Sequence, residues 1–281
     1  MNDLVHVQKL SDAILQEIAK VVVGHDALLS HLLCALYARG HVLLEGVPGT
    51  AKTLMVRALA ACLGADMKRV QFTPDLMPSD ILGTNVFNLQ AGRFHLVRGP
   101  IFTDLLLADE VNRAPAKTQS ALLEAMEERR VTIDGEPHPL ATTFTVFATQ
   151  NPIEFEGTYP LPEAQLDRFL MKLQVTYPSE GEEDAILRRF EDGFDSSDLG
   201  AAGLRAVATK DDLTRARTAI YGSPGARSTG EGGGVRTPDD VKGLVQPVLG
   251  HRLLLDPEAE IDGLTAAEVL ENVTGEVEVP R

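Results

Sequence analysis

Residues 41–54, HVLLEGVPGTAKTL, constrain the fold of this chain more than any other stretch. The short apolar run from His41 to Glu45 predicts a buried parallel strand. The pattern breaks over residues 46–49 and resumes at Ala51 as a helix with the sequence AKTLMVRALAACLG. A strand, a glycine loop, Lys-Thr and a helix in this order are typical of a phosphate-binding loop, because the backbone N–H groups and the helix N-terminus point at an anion.

The side chains of this loop indicate what it binds. Lys52 is placed to reach the β- and γ-phosphates of a nucleotide, and Thr53 to offer its hydroxyl to Mg²⁺. The predicted nucleotide-binding residues of the loop are Gly46, Val47, Pro48, Gly49, Thr50, Ala51, Lys52 and Thr53. Ala51 departs from the spacing G-x-x-x-x-G-K-[ST], which has glycine before the lysine. On its own, the motif also fits a Gly-Pro turn ahead of a helix with a surface lysine.

A second motif follows at residues 101–110, IFTDLLLADE. The apolar run from Leu105 to Ala108 predicts a central strand, and Asp109 and Glu110 come at its C-terminal end, where open α/β sheets place their ligands. One carboxylate there can hold Mg²⁺ through its waters, and we assign this role to Asp109. The carboxylate of Glu110 can polarise an attacking water as a general base. The alternative is a capped strand end followed by a turn.

A third strand is predicted over residues 143–151, TFTVFATQN, and it ends in two amides. Asn151 would lie beside the phosphates and orient the lytic water by hydrogen bonding, with Gln150 on the other face of the strand. The turn chemistry of Asn-Pro explains the same residues without a function. Because this strand follows the phosphate loop and the acidic pair in chain order, we favour the water-orienting role.

Two other positions stay open between a functional and a structural role. Val23 and Gly24, upstream of the first strand, fit either an adenine-facing segment or ordinary core followed by a turn. Arg168, in PEAQLDRFL, fits either a solvated arginine paired with a nearby acid or an arginine that reaches the γ-phosphate of a neighbouring subunit.

Composition narrows the class of protein. The chain has 281 residues, 44% of them hydrophobic and 24% charged, as in ordinary soluble globular proteins. Its net charge of −15 argues against a nucleic-acid surface, which normally carries a basic patch or stripe. No stretch reaches the length of a membrane-spanning helix and no signal layout opens the chain, so we expect no membrane insertion. Cys34 and Cys62 are predicted to be core thiols, which favours a cytoplasmic location.

The rest of the chain predicts two β-hairpins and, further on, two segments of unusual composition. Residues 85–98 alternate around a Gln-Ala-Gly turn and residues 131–140 turn at Asp134 and Gly135, so both predict β-hairpins. Residues 221–236 are rich in glycine and serine and cannot pack regularly. Residues 256–281 hold eight acids and one base, which predicts a solvated tail.

The ordered set GVPGTAKT, LLLADEVNRAPAKTQSALLEAMEERRVTIDG, FATQNP and PEAQLDRF resembles the MoxR branch of the AAA+ ATPases. The resemblance runs over residues 10–177 and 237–255. It includes Ala51, because alanine before the lysine is the MoxR form of the loop. It implies a parallel αβα nucleotide domain, ATP and Mg²⁺ as cofactors, a homo-oligomeric and typically hexameric ring, and ATP hydrolysis at subunit interfaces.

The resemblance also implies roles for particular residues. Lys52 matches the phosphate-binding lysine of the family, and Thr53 matches its Mg²⁺-binding hydroxyl. Asp109 matches the Mg²⁺-associated acid and Glu110 the base. Asn151 matches the sensor that positions water, and Arg168 the arginine finger that acts in trans. The two hairpins match inserts that such ATPases use near the ring pore. MoxR-type proteins act as chaperone-like motors, often with protein partners that carry von Willebrand factor A domains, and the resemblance implies the same here.

One region departs from the family pattern. The second domain of the family is a helical lid with a sensor arginine just after a GASPR-like stretch. Residues 222–227 here, GSPGAR, resemble that stretch and make Arg227 the candidate, but STGEGGG follows in place of an amphipathic helix. The lid is therefore predicted to be shortened by several tens of residues.

Together these patterns predict an α/β fold, an AAA+ P-loop αβα parallel-sheet domain followed by a shortened, mostly helical lid. We divide the chain into an ATPase core (residues 1–178), a connecting helix and linker (179–209), a reduced lid (210–255) and an acidic tail (256–281). The predicted function is a MoxR-type ATPase that remodels or activates a protein partner. The alternative is a nucleotide-binding assembly module with weak turnover. A small-molecule kinase is disfavoured, since it needs an acceptor pocket in place of a hydrolytic base.

Overall fold

Five short parallel strands form the centre of the molecule. The computed structural model describes residues 2–152, 158–222, 238–261 and 263–276. The strands are β1 Val42–Glu45, β2 Met67–Gln71, β5 Leu105–Asp109, β8 Thr145–Gln150 and β9 Met171–Gln174. They lie in the order β2-β5-β8-β1-β9, and every neighbouring pair is parallel. The predicted α/β fold with a parallel sheet is confirmed.

Helices cover both faces of this sheet. The first face packs against α1 Asn2–Ile18, α2 Asp26–Tyr37, α3 Lys52–Cys62 and α8 Lys210–Gly222. The second face packs against α4 Pro78–Leu82 and α5 Ala116–Glu128. Neighbouring strand residues alternate between the two faces, so Leu44 and Phe147 lie in the first hydrophobic cluster, and Leu43 and Ala148 in the second. Burial on both faces explains why these strands appear in the sequence as continuous apolar runs.

Two antiparallel hairpins lie outside the main sheet, as predicted. The first pairs β3 Gly83–Asn88 with β4 Arg93–Arg98, and the second pairs β6 Arg130–Ile133 with β7 Glu136–Pro139. The second hairpin turns at Asp134 and Gly135. Their φ angles of 50° and 84° are the left-handed pair that a two-residue type I′ turn needs.

The C-terminal part contains more helix than the sequence predicts. The remaining helices are α6 Glu163–Leu166, α7 Glu180–Glu191, α9 Pro238–Leu249, α10 Pro257–Ile261 and α11 Ala266–Glu276. Helices α10 and α11 therefore occupy the segment predicted as a tail, and α11 packs against α9. Helix α8, assigned above to the lid, places Leu213 and Ala216 in the first hydrophobic cluster. The division into domains stays a prediction, and Arg227 lies outside the described residues.

The described helices include none with both the length and the apolar character needed to cross a bilayer.

The prediction of two core thiols is wrong for one of them. Cys62 is buried in the first cluster, and burial raises the pKa of its thiol to about 12. Cys34 is exposed. It shares one face of α2 with Ser30 and, at the helix end, the exposed Ala38, because residues four apart lie above one another on a helix. Because the residues around Cys34 are apolar, the sequence does not show that Cys34 lies on the exposed face of α2.

A buried arginine joins α8 to the rest of the domain. Arg217 is 1% exposed. Its Nε and Nη2 donate to the carbonyl oxygen of Leu36 at 3.0 and 2.8 Å, and Nη1 donates to that of Thr142 at 2.9 Å. Leu36 lies in the last turn of α2, at the negative end of the helix dipole, and its carbonyl oxygen also accepts from the N–H of Arg39 at 3.2 Å. Burial, Arg129 and Arg39 lower the pKa of Arg217 to about 10, so it stays charged at neutral pH.

We expect the substitution Arg217→Met to lower the free energy of unfolding by about 2–4 kcal/mol, because it removes the charged donor of the buried Leu36 carbonyl and of the Thr142 carbonyl. Urea unfolding followed by circular dichroism measures the loss. Arg215→Met, at an exposed position of the same helix, is the control and should change stability by less than about 0.5 kcal/mol. Equal losses in the two variants would contradict the role of Arg217.

A second buried polar residue, His41, is held in one neutral tautomer. The N–H of Val146 donates to Nδ1 at 2.9 Å, so the ring proton resides on Nε2, which faces the carbonyl oxygen of Met126 at 3.2 Å. Burial is the main cause that lowers the pKa of His41, to about 4.

This lowered pKa makes stability depend on pH. Between pH 6.5 and about pH 4 the unfolded chain binds a proton at His41 that the folded chain does not, so stability falls as the pH falls through this window. Compared with His41→Gln, which does not titrate, we expect the natural chain to lose about 2 kcal/mol more between pH 7.5 and pH 5. Denaturant titrations of both proteins at the two pH values test this. Identical pH dependence would show that the folded and unfolded chains bind the proton of His41 equally, so that burial does not lower its pKa.

Candidate functional site

The carboxyl ends of the parallel strands open onto a cleft of about 530 Å³. The phosphate loop, the ends of β5 and β8, and residues from α7 and the segment after it line this cleft. Its basic lining residues outnumber its acidic ones, with Lys52, Arg57, Arg69 and Arg189 against Asp109 and Glu110. Because the whole chain carries a net charge of −15, the cleft is a local concentration of positive charge suited to an anionic ligand.

The phosphate loop, residues 46–53, connects β1 to α3 as predicted. Ala51 is the N-cap of α3 with a φ of 57°, in the left-handed region where a non-glycine residue is disfavoured by about 1–2 kcal/mol. Alanine thus adopts the conformation that glycine of the usual spacing takes freely. Gly46 is confined by its surroundings, since a Cβ there would lie 2.4 Å from the carbonyl oxygen of Val175.

The side chain of Lys52 lies inside this loop. Its Nζ donates to the carbonyl oxygens of Gly46 at 2.8 Å and Val47 at 2.6 Å. Burial lowers the pKa of Lys52, while Asp109 and Glu110 act in the opposite direction. The ammonium is therefore held at the edge of the cleft, where it can meet an anion.

Asp109 ends β5 and is held by an arginine and a hydroxyl. Its Oδ2 accepts hydrogen bonds from Nε and Nη2 of Arg69 at 3.0 and 2.6 Å, and its Oδ1 accepts one from the hydroxyl of Thr149. Arg69 lies on β2 and Thr149 on β8, the two strands that flank β5. The carboxylate is thereby oriented from both sides.

Glu110 has a strained backbone and a fixed side chain. Its φ of 56° lies in the left-handed region, where the backbone of a non-glycine residue is strained. Such strain clusters at functional sites. Its N–H donates to Oγ1 of Thr149 at 2.9 Å. Its Oε2 accepts from Nε2 of Gln71 at 2.7 Å and pairs with Nε of Arg113 at 3.0 Å.

The cleft brings together most, and not all, of the predicted site residues. Those that line it are Val23, Gly46, Pro48, Gly49, Thr50, Ala51, Lys52, Thr53, Asp109, Glu110 and Asn151. Val47, Gly24 and Arg168 do not line it. Asn151 is 8% exposed, and its carbonyl oxygen accepts from the amide of Asn112 at 3.4 Å.

Gly24 occupies a turn that packs closely against α7. Its φ is 70°, and a Cβ there would lie 2.2 Å from Oε1 of Glu182. This geometry matches the structural alternative for Gly24, whereas Val23 next to it faces the cleft.

Arg168 lies outside the cleft, in the connection between α6 and β9. Its Nη2 pairs with Oε2 of Glu127 on α5 at 3.0 Å, and the two side chains are 36% and 60% exposed. Within a single chain, the acid-paired alternative therefore describes Arg168. For Arg168 to act at a γ-phosphate, that phosphate must lie in the cleft of another subunit.

The residues present fit a nucleotide with Mg²⁺. Thr53 and Asp109 face the same cleft and supply a hydroxyl and a carboxylate, the oxygen ligands that Mg²⁺ prefers. Mg²⁺ commonly binds through one or two protein oxygens, waters and substrate phosphates. The described part of the chain has no cluster of three His, Cys, Asp or Glu residues able to hold a metal by itself. The phosphates would therefore complete the coordination.

The sequence patterns did not reveal the residues that orient the acidic pair. These are Arg69, Gln71, Arg113 and Thr149. Residues 69 and 71 are two positions apart, so on a strand their side chains lie on the same face. This spacing is the signal that the sequence offers for a shared role. Only the order of strands in the sheet shows that β2 is the neighbour of β5.

Two known proteins resemble this chain over nearly its whole length, and a family model matches its central part. The model of the ATPase family associated with various cellular activities (AAA) matches residues 41–171. The uncharacterized protein YeaC of Bacillus subtilis is 42% identical over 303 aligned positions, covering 94% of this chain and 93% of YeaC. A crystal structure of a candidate ATPase from Cytophaga hutchinsonii matches with a TM-score of 0.83 and 36% identity, covering 99% of this chain and 97% of that one.

The MoxR proteins match a shorter part. Chaperone MoxR1 of Mycobacterium tuberculosis is 54% identical over 173 residues, which cover 62% of this chain and 46% of MoxR1. The chain thus spans nearly all of YeaC and about half of MoxR1. The 303 aligned positions exceed the 281 residues of this chain, so YeaC has residues that this chain lacks. The shared fold, the full-length relative and the identity to MoxR1 show that the chain belongs to the MoxR family of AAA+ ATPases.

Proposed function

We propose that this protein hydrolyses ATP in a Mg²⁺-dependent reaction. The observation that carries the proposal is the convergence of Lys52, Asp109, Glu110 and Asn151 on one cleft, although they come from three separate segments of the chain. A phosphate lysine, an acid able to hold a metal, a strained glutamate and an amide are the groups that hydrolysis of a phosphoanhydride needs.

Each residue has a distinct role in this proposal. The loop N–H groups and Lys52 bind the phosphates, and Thr53 and Asp109 hold the Mg²⁺ that neutralises their charge. Glu110 accepts the proton of the attacking water, which the amide of Asn151 orients. Gln71 and Arg113 both contact Oε2 of Glu110 and so help to fix the orientation of this carboxylate.

We expect Glu110→Gln to lower the rate of ATP hydrolysis by about 10²–10⁴-fold, because the amide cannot accept the proton. Affinity for ATP should be retained, since the loop and Asp109 are unchanged. Phosphate release and equilibrium binding of a fluorescent ATP analogue measure the two effects. Glu124→Gln, at an exposed position on α5, is the control and should hydrolyse ATP normally.

The same measurements decide between the two candidate functions. Turnover in the Glu110→Gln variant equal to that of the natural chain would reject Glu110 as the base. A natural chain that binds ATP and shows no turnover above the variant would favour the nucleotide-binding assembly module. That module has its own support in the sequence, where STGEGGG follows the GSPGAR stretch in place of the lid helix of the family.

We further propose that the chain forms a homo-oligomeric ring, hexameric as the family resemblance implies, with Arg168 acting in trans. The position of Arg168 outside its own cleft supports this proposal. Its ion pair with Glu127 joins two side chains that are each at least one-third exposed, so it contributes little stability and can exchange for a phosphate.

Mixing two inactive variants tests the trans role. Arg168→Ala should lower turnover by about 10³-fold or more, because an arginine finger stabilises transition-state charge. A mixture of Arg168→Ala with Glu110→Gln should regain turnover, since one subunit supplies the base and its neighbour the arginine. Steady-state phosphate release of the mixture and of each variant alone provides the comparison. No recovery in a mixture shown by light scattering to co-assemble would exclude action in trans.

The cellular role that we propose is that of a chaperone-like motor acting on a protein partner in the cytoplasm. The name of Chaperone MoxR1 supports it, as does the exposed apolar surface of the first hairpin, where Phe87, Leu89 and Phe94 are 47%, 87% and 67% exposed. Such a surface is typical of a protein-contact site. Partners with a von Willebrand factor A domain are the class that the family resemblance indicates, and nucleic acid is disfavoured by the charge of −15.

A further inference from the structure

We propose that His251 and Arg252, which follow α9, are positioning residues that hold the backbone around Arg168 in place for a neighbouring subunit. The inference rests on the proposed trans role of Arg168. It assigns to the reduced C-terminal region a part in hydrolysis that does not require Arg227.

Arg252 binds the chain on both sides of Arg168. Its Nε donates to Oδ1 of Asp167 at 2.7 Å. Its Nη2 donates to the carbonyl oxygens of Asp167 at 3.3 Å and Phe169 at 2.9 Å, and its Nη1 donates to that of Leu170 at 3.3 Å. One guanidinium therefore spans the whole connection between α6 and β9.

His251 adds a further contact to the same segment. Its Nε2 lies 3.0 Å from the carbonyl oxygen of Phe169, which can only accept, so Nε2 carries the proton and donates. Burial is the main cause that lowers the pKa of His251, in keeping with a neutral ring. Phe169 thus receives hydrogen bonds from two consecutive residues.

The relative strength of these contacts indicates which of them matter. The carboxylate of Asp167 is 71% exposed, so its ion pair with Arg252 is weak by itself. The carbonyl oxygens of Phe169 and Leu170 receive charge-assisted hydrogen bonds, and Phe169 is fully buried. A planar guanidinium presents its donors in a rigid fork, so it holds several carbonyls in a fixed relation that a lysine cannot reproduce.

The side chain of Arg168 is left able to move while its backbone is held. Its partner Glu127 is 60% exposed, which makes this ion pair easy to exchange. The flanking backbone receives the hydrogen bonds of His251 and Arg252. This is the combination that a finger needs, because it must reach another subunit from a defined origin.

The mixture of variants described above provides a directional test. The donor subunit carries Glu110→Gln and supplies Arg168, and the acceptor subunit carries Arg168→Ala and supplies the base. We expect Arg252→Met in the donor to lower the recovered turnover by about 10-fold to 100-fold, because misplacing a catalytic group by about 1 Å has effects of this size. The KM for ATP should not change. Arg252→Met in the acceptor should leave turnover within about twofold, since the arginine that it positions is already absent.

Three comparisons separate positioning from loss of folding or assembly. Arg252→Lys in the donor should recover only part of the turnover, since a single ammonium cannot bridge these carbonyls. Arg215→Met in the donor, at an exposed position, should behave as the unmodified donor. Hydrogen exchange of the nucleotide-free protein should be faster in Arg252→Met for a peptide covering residues 166–171 and unchanged for one covering residues 46–53.

The outcomes are distinct. Equal losses with Arg252→Met in donor and acceptor, or no loss in the donor, would overturn the inference while leaving the trans role intact. Unchanged exchange over residues 166–171 would also overturn it, independently of any turnover. No recovery in the mixture without an Arg252 substitution would overturn the trans role, and the positioning role with it.

Discussion

The parallel pairing of β1 between β8 and β9 is the constraint on which the rest of the structure depends. Glu45, the last residue of β1, lies opposite Gln150 on one side and Gln174 on the other. The next strand pair in the sheet continues this alignment, with Ala108 opposite Ala148. Since parallel strands end at the same edge of a sheet, the phosphate loop, the acidic pair and Asn151 leave the sheet at one level. A different register or strand order would separate these groups.

Two buried carboxylates near the site, those of Glu45 and Asp109, each pair with a basic side chain. Glu45, 8% exposed, pairs with Lys172 at 3.0 Å and accepts a hydrogen bond from Gln174, directly before the phosphate loop begins. Asp109, which lines the cleft, is paired with Arg69. Leaving either carboxylate buried without its partner would be unfavourable by several kcal/mol. The pairs therefore serve less to stabilise the fold than to give each carboxylate one orientation.

Two helices of the C-terminal region, α8 and α9, pack on the domain that contains the sheet. Helix α8 packs in the first hydrophobic cluster through Leu213 and anchors there through Arg217. Helix α9 packs on the edge strand β9 and leads to Arg252. These contacts hold α8 and α9 against the part of the chain that forms the sheet and the cleft.

The sequence alone determined the strand, loop and helix around Lys52, the acidic strand end at Asp109 and both hairpins, because apolar period and turn chemistry act over a few neighbouring residues. The tertiary structure decided what sequence-distant segments bring together. It placed Arg69 and Gln71 beside the acidic pair, buried Arg217, exposed Cys34 and set Arg252 against the Arg168 segment. Such contacts follow from which strands and helices become neighbours, and that choice is made by burial of the whole core, not by any local pattern.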